Sequence, residues 1–135
     1  MFIHATEDSN KVIQAVKNLF PKQLAEEIKF KKTNLTGHHG NPIILLETRL
    51  KEKELIKTLM NKLASGLNLL DKKFLAMNFE QHAKKGSFYL RLDKQSAFKG
   101  EVKLSSADPI HLRVGFKTGK VIEMMKTFKE LGILP

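Results

Sequence analysis

The sequence predicts an α+β fold, a two-layer sandwich with helices packed on one face of a mainly antiparallel sheet. Two observations carry this reading. Apolar residues recur at helical spacing near both ends of the chain and across its middle, whereas from Ser87 onward the apolar period falls to two. Each helical stretch then has one apolar stripe and each extended stretch one polar face, so every element needs a single cover.

Met1 to His4 reads as a short extended segment. Thr6 is placed to cap a helix, with Glu7 and Asp8 in its first turn near the positive helix end. Val12, Ile13, Val16, Leu19 and Phe20 share one face of that helix, and Pro21 closes it. A short helical segment follows at residues 21–27, and residues 28–35 are expected to be extended. The string Gly37-His38-His39-Gly40-Asn41-Pro42 is a turn cluster, and the apolar run from Ile43 continues toward Leu50 as a second strand.

The clearest helix covers residues 51–66, with Leu55, Ile56, Leu59, Met60, Leu63 and Ala64 inward and Lys53, Lys57 and Asn61 opposite. A shorter helix is expected from Asp71 to Met77. Three alternating strands come next. Phe88, Leu90 and Leu92 alternate with Tyr89, Arg91 and Asp93; Val102 and Leu104 with Lys103; Ile110, Leu112 and Val114 with His111 and Arg113. A last helix spans about 119–131, with Val121, Ile122, Met125 and Phe128 inward.

The 135 residues fit one domain. Hydrophobic content of 41% against 28% charged is that of a globular chain rather than a disordered one. The chain has no Cys, which excludes disulfide scaffolds, Cys-based zinc sites, iron–sulfur clusters and thiol chemistry. No run of about 18 apolar residues occurs, and the N-terminal residues lack a signal-peptide pattern, so the expected address is the cytoplasm, away from membranes.

Twenty-four Lys and Arg oppose 14 Asp and Glu, giving a net charge of +10. Residues 1–66 hold 11 basic and 7 acidic side chains, and residues 67–135 hold 13 and 7, so the surplus is spread over the chain rather than kept in an arm. Such a balance favours polyanionic partners, nucleic acid first. Lys outnumbers Arg 21 to 3. The three Arg are therefore informative, because a guanidinium suits phosphate contacts that an ammonium makes only as a point charge.

Two of the three, Arg91 and Arg113, fall on the outward side of the late strands with Tyr89, Lys103 and His111. Arg49 alternates with Glu47 on the earlier strand. A basic sheet surface carrying an aromatic ring and an imidazole offers phosphate contacts and one or two stacking platforms, as single-stranded or looped RNA requires. Any half-exposed strand is polar outside, so scarce Arg clustering there distinguishes a binding face from a wet one. Tyr89 stands nearly alone among aromatics, which favours backbone or shape recognition over base-specific stacking.

The glycines around His38 and His39 permit positive φ and close backbone approach, so the loop reads either as a structural turn or as an anion contact through His38, His39 and Asn41. A metal site would need a further ligand, for which His4 is the candidate; no metal or other cofactor is expected. Asp93-Lys94-Gln95 reads as a turn in which Asp93 caps the next helical turn, or as a polar site with Lys94 bordering the groove. No GxSxG, Walker or HExxH string is present, and a non-enzymatic protein is expected.

Four strings occur in a telling order: His4-Ala5-Thr6-Glu7-Asp8, then Gly37 to Ile43, then Leu90-Arg91-Leu92-Asp93-Lys94-Gln95 with Ala97 and Gly100, then Asp108-Pro109-Ile110. Together they resemble a family of small archaeal RNA-binding proteins described as predicted exosome subunits. The resemblance covers essentially the whole chain. It implies a fold like that of ribosomal large-subunit protein five, RNA binding, and partners in RNA processing such as the exosome; it brings no catalytic residues. Only Met1, Phe2 and Ile3 precede the first string, where members of the family have a longer first strand, so the expectation is either a short first strand or a sequence that starts late. Two other functions compete with RNA binding: a subunit whose basic face docks an acidic protein, and a metal-dependent enzyme built on His4, His38 and His39.

Overall fold

The structure, a computed structural model, describes residues 2–4, 9–37, 40, 42–116 and 119–135. The element order begins β1 (Phe2–His4), α1 (Ser9–Lys17), α2 (Lys22–Ala25), β2 (Lys31–Thr36), β3 (Pro42–Glu47) and α3 (Lys53–Gly66). It continues α4 (Leu69–Met77), α5 (Phe79–His82), β4 (Ala83–Lys84), β5 (Ser87–Leu92), α6 (Lys94–Phe98), β6 (Ile110–Gly115) and α7 (Val121–Leu131). The α+β class and the antiparallel pairing agree with the sequence. The expected cap at Thr6 to Asp8 lies outside the described residues.

The strands divide between two three-stranded antiparallel sheets, ordered β1-β3-β2 and β4-β5-β6. In the first, β3 is central; Ile43 pairs with His4 on one side and Leu35 on the other. Val12 of α1 and Leu46 of β3 form a small buried cluster, with Ile13, Phe30 and Ile44 against it. The strand expected to run to Leu50 ends at Glu47, where Lys31, the first residue of β2, is its last partner. Beyond it no strand among the described residues pairs with the chain, and Arg49 falls in the connection to α3.

The second sheet positions the candidate site. Phe88, Leu90 and Leu92 are buried, and Tyr89 and Arg91 exposed, which is the expected alternation. The buried face is covered by helices, and its centre is aromatic. Phe79 of α5 stacks on Phe88 with centroids 4.6 Å apart, and Phe128 of α7 meets Phe88 edge-on at 4.8 Å. The main core also takes residues from α1, α3 and α4 and the chain end at Ile133 and Leu134. Gly132, at φ 83°, ends α7 in the left-handed conformation that lets Ile133 N–H reach back to Phe128 O at 3.0 Å.

The segment at 101–105 is not a strand, as its alternation predicted. It makes one antiparallel bridge, Leu92 to Leu104, flanked by Asp93 N–H to Lys103 O (2.8 Å) and Ser105 N–H to Arg91 O (3.0 Å). Packing explains the brevity. Val102 is buried against Gly66, where an added Cβ would lie 2.7 Å from Val102 Cγ2. The preceding residues also belong to the turn after α6, which Glu101 N–H closes on Ser96 O at 2.8 Å. One pair of ladder bonds is all that the segment can add to the edge of β5.

Asp93 resolves in favour of the capping reading. Its Oδ2 accepts from Ser96 N–H at 3.0 Å and from Ser96 Oγ at 2.7 Å, starting α6. Asn18, in the turn after α1, closes the other end by donating to Ala97 O and Phe98 O. Asp93→Ala is expected to cost about 0.5–2 kcal/mol in urea unfolding, the range for a lost N-cap. A change under a few tenths of a kcal/mol would show the cap to be dispensable.

Candidate nucleic-acid interface

Register brings four of the sequence-predicted residues together. Tyr89 pairs with Arg113 across β5 and β6, and Arg91 with His111. Directly paired residues share a face, so the four form two rows on the side away from the helices. The Arg113 guanidinium carbon stands 5.9 Å from the centroid of the Tyr89 ring, within cation–π range. Its Nε donates to Ser87 Oγ at 3.1 Å. Ser87 is only 4% exposed, and this contact fixes one nitrogen of the fork.

Lys103 is exposed at the edge of the same sheet, its backbone bonded to Asp93. Sequence reasoning missed Lys84 and Lys85. They form the β4–β5 hairpin, whose turn has Lys85 at φ 48° and Gly86 at φ 78°. Lys84 pairs with Ser87, beside the Tyr89–Arg113 row. The Lys-Lys-Gly string at 84–86 was the available signal, because two consecutive positive-φ residues favour a two-residue hairpin.

The other end of the face is more mixed in charge. Lys94 Nζ lies 3.0 Å from Asp108 Oδ2, in an ion pair whose Lys side chain is 11% exposed. Lys94 thus ties α6 to the turn before β6 rather than projecting over a groove. Asp108 is at φ 43°, an uncommon conformation for a non-glycine residue, immediately before Pro109. Here the Asp-Lys-Gln and Asp-Pro-Ile strings meet in space.

His111 lies beside this pair. Partial burial on the sheet lowers its pKa below the usual 6.5, and the Arg91 and Lys94 cations act in the same direction, against the pull of Asp108. The shift favours the uncharged imidazole. A depressed folded-state pKa means that the unfolded chain binds more protons below about pH 6.5, so the stability associated with neutral His111 is lost as pH falls through that region. His111→Gln is expected to reduce the loss of unfolding free energy between pH 7.5 and 5.5. An unaltered pH profile would show that His111 does not contribute.

Arg49 is exposed beyond β3, in a shallow cleft with Glu27, Lys29, Lys51 and Glu52, and is not brought to the late-sheet face. His38, His39 and Asn41 lie outside the described residues. Their flanks show a turn, with Gly40 at φ 76° and its N–H donating to Gly37 O at 3.1 Å. Among the described residues, no three His, Asp or Glu side chains gather as metal ligands. No helix there is long and apolar enough to cross a membrane.

A family model described as RNA binding matches residues 1–116. An RNA-binding protein of Pyrococcus abyssi is 38% identical over 119 residues, spanning 86% of this chain and 77% of that protein. A DUF54 protein from Methanothermobacter thermautotrophicus has a similar structure, with a TM-score of 0.78 at 27% identity over 97% of this chain and 92% of that one. A protein of Sulfolobus solfataricus, also assigned to DUF54, gives 0.78 at 25% identity over 98% and 93%.

Proposed function

This chain belongs to the RNA-binding family, and on that premise we propose that the open face of β5 and β6 is the RNA-contacting surface of a non-enzymatic cytoplasmic protein. The observation that carries the reading is the register that sets Tyr89 against Arg113 and Arg91 against His111. In it Arg91 and Arg113 take phosphates, Lys103 and the hairpin Lys84 and Lys85 add charge at the edge, and Tyr89 and neutral His111 offer rings to unpaired bases. With one face of Tyr89 approached by Arg113, a base has only the rest of the ring, which suits tolerant contacts rather than sequence reading. Arg49 and the 37–41 loop are secondary contacts.

Filter binding of a single-stranded RNA across a salt series tests this. Neutralising about four phosphates gives a slope of log K against log salt near −3, at roughly −0.7 per phosphate. Affinity no greater than that of a basic protein matched in size and charge would overturn the proposal.

The finer reading, association with RNA-processing machinery such as the exosome, rests on the sequence resemblance. Exosome subunits should be enriched with the tagged protein from native cells, and the enrichment should fall on nuclease treatment if RNA is the tether. Absence of enrichment before nuclease would remove this part.

A further inference from the structure

The register makes a checkerboard of the open face. Tyr89 stands opposite Arg113 and Arg91 opposite His111, so the two rings lie on one diagonal and the two guanidiniums on the other. All four side chains are exposed. Diagonal neighbours on one face of an antiparallel pair are about 7–8 Å apart. Stacked bases follow one another along a strand at about 3.4 Å. Two bases resting on these rings therefore lie side by side, too far apart to stack on each other. A single base clamped between the rings is the other arrangement that such a gap could take. Arg113 opposes it: its guanidinium carbon approaches the Tyr89 ring to 5.9 Å from β6, the strand that also carries His111.

The cations fit the parted arrangement. Arg113 is held by Ser87 and by the Tyr89 ring, whereas Arg91 is the guanidinium on the other side of the ring diagonal. Arg91 is thus placed for the phosphate that joins the two nucleotides, and Arg113 for the one beyond. We infer that the open face of β5 and β6 takes an unstacked dinucleotide step of single-stranded RNA, and so prefers uridine-rich to adenosine-rich strands and binds a duplex weakly. The inference rests on the proposal that this face is the one that contacts RNA. Its direction follows from what must be undone before binding. Uridine runs stack least and adenosine runs most, and composition preferences of this kind come from stacking strength and backbone flexibility. The larger purine gains little in return, because Arg113 already covers part of Tyr89. In a duplex the bases are stacked and turned inward, which leaves both rings without a partner.

Fluorescence anisotropy of the full chain with octauridine, octaadenosine and a duplex of the same length, at one ionic strength, tests this. Octauridine should bind at least about fivefold tighter than octaadenosine, and tighter than the duplex despite carrying fewer phosphates. The stacked-base circular dichroism of octaadenosine should fall at saturation. Tyr89→Leu/His111→Leu keeps the formal charge; it should weaken octauridine binding about tenfold and bring the two single strands to similar affinity. Tyr89→Leu alone should narrow the preference, and carries the test if the double variant does not fold. Equal affinity for the two single strands, a duplex bound as tightly as octauridine, or octaadenosine that stays stacked while bound would overturn the inference. If Arg91→Ala/Arg113→Ala still weakens binding in those cases, the RNA face stands and only the unstacked step is lost. Octauridine binding that the Arg variant leaves unchanged would overturn the face and the inference together.

Discussion

Replacing Arg91 and Arg113 together with alanine is expected to weaken RNA binding about a hundredfold and to flatten the salt slope by about 1.4, two phosphate contacts at roughly 0.7 each. The free-energy equivalent is near 3 kcal/mol, at the low end for two charge-assisted hydrogen bonds of about 1.5–3 kcal/mol each. Both side chains stand on the exposed face of the sheet, and the residues beneath them are packed from the other side, so the fold should survive. Lys53→Ala/Lys57→Ala on α3 removes the same formal charge from an exposed helix side. Its expected loss is only a few-fold, from the general field of the protein. Equal losses in the two double variants would show that net charge, not the β5–β6 face, governs binding.

The largest expected effect on stability is at Phe128. Phe128→Ala should cost about 3–5 kcal/mol in urea unfolding, the range for emptying a buried aromatic site. Its ring is 1% exposed and makes edge contacts with Phe79, Phe88 and Phe116 at 5.9, 4.8 and 5.4 Å. No single neighbour can fill the space, because each is held by another part of the core. For a domain whose total stability is about 5–15 kcal/mol, much of the margin disappears. Ile122, which its spacing predicted inward but which is 81% exposed because the helix turns Met124 and Phe128 to the core, is the control; Ile122→Ser should change stability by about 0.5 kcal/mol or less. A cost below about 1.5 kcal/mol at Phe128 would mean that α7 is only loosely joined to the sheet. Phe128 lies beyond the 1–116 span of the family model, so the same measurement shows how far the rest of the chain depends on this last helix.

Local pattern made most of this architecture legible, and its failures have local causes. The alternation of Phe88 to Leu92 with its partner from Ile110 to Val114 predicted the outward set because only one face of that pair is covered. Pairing itself was not readable: alternation puts Tyr89, Arg91, His111 and Arg113 outside but does not say which stand opposite. The division into two sheets was hidden for the same reason. Residues 101–105 alternate as a strand would, yet Val102 is held by Gly66, and a single bridge results. Lys94 looked like a groove residue because charge alone does not reveal that Asp108, 14 residues on, holds it. For the helix expected over 71–77 the pattern did not say which side is buried. Burial of Leu75, with Phe74 and Met77 exposed, decides it.

The capped turn at Asp93 separates two roles within one recognisable string. Asp93 holds α6, Ala97 is buried, Gly100 takes a positive φ of 81°, and Lys94 is locked by Asp108 of the next string. These residues are hardware for folding the chain. Of that string, Arg91 stands on the open face, and the other residues of the proposed contact surface lie elsewhere. On the proposed reading, exchanging Tyr89, Lys103 or Arg113 is expected to retune ligand preference while the scaffold keeps its signature, so two chains with the same signature need not favour the same RNA.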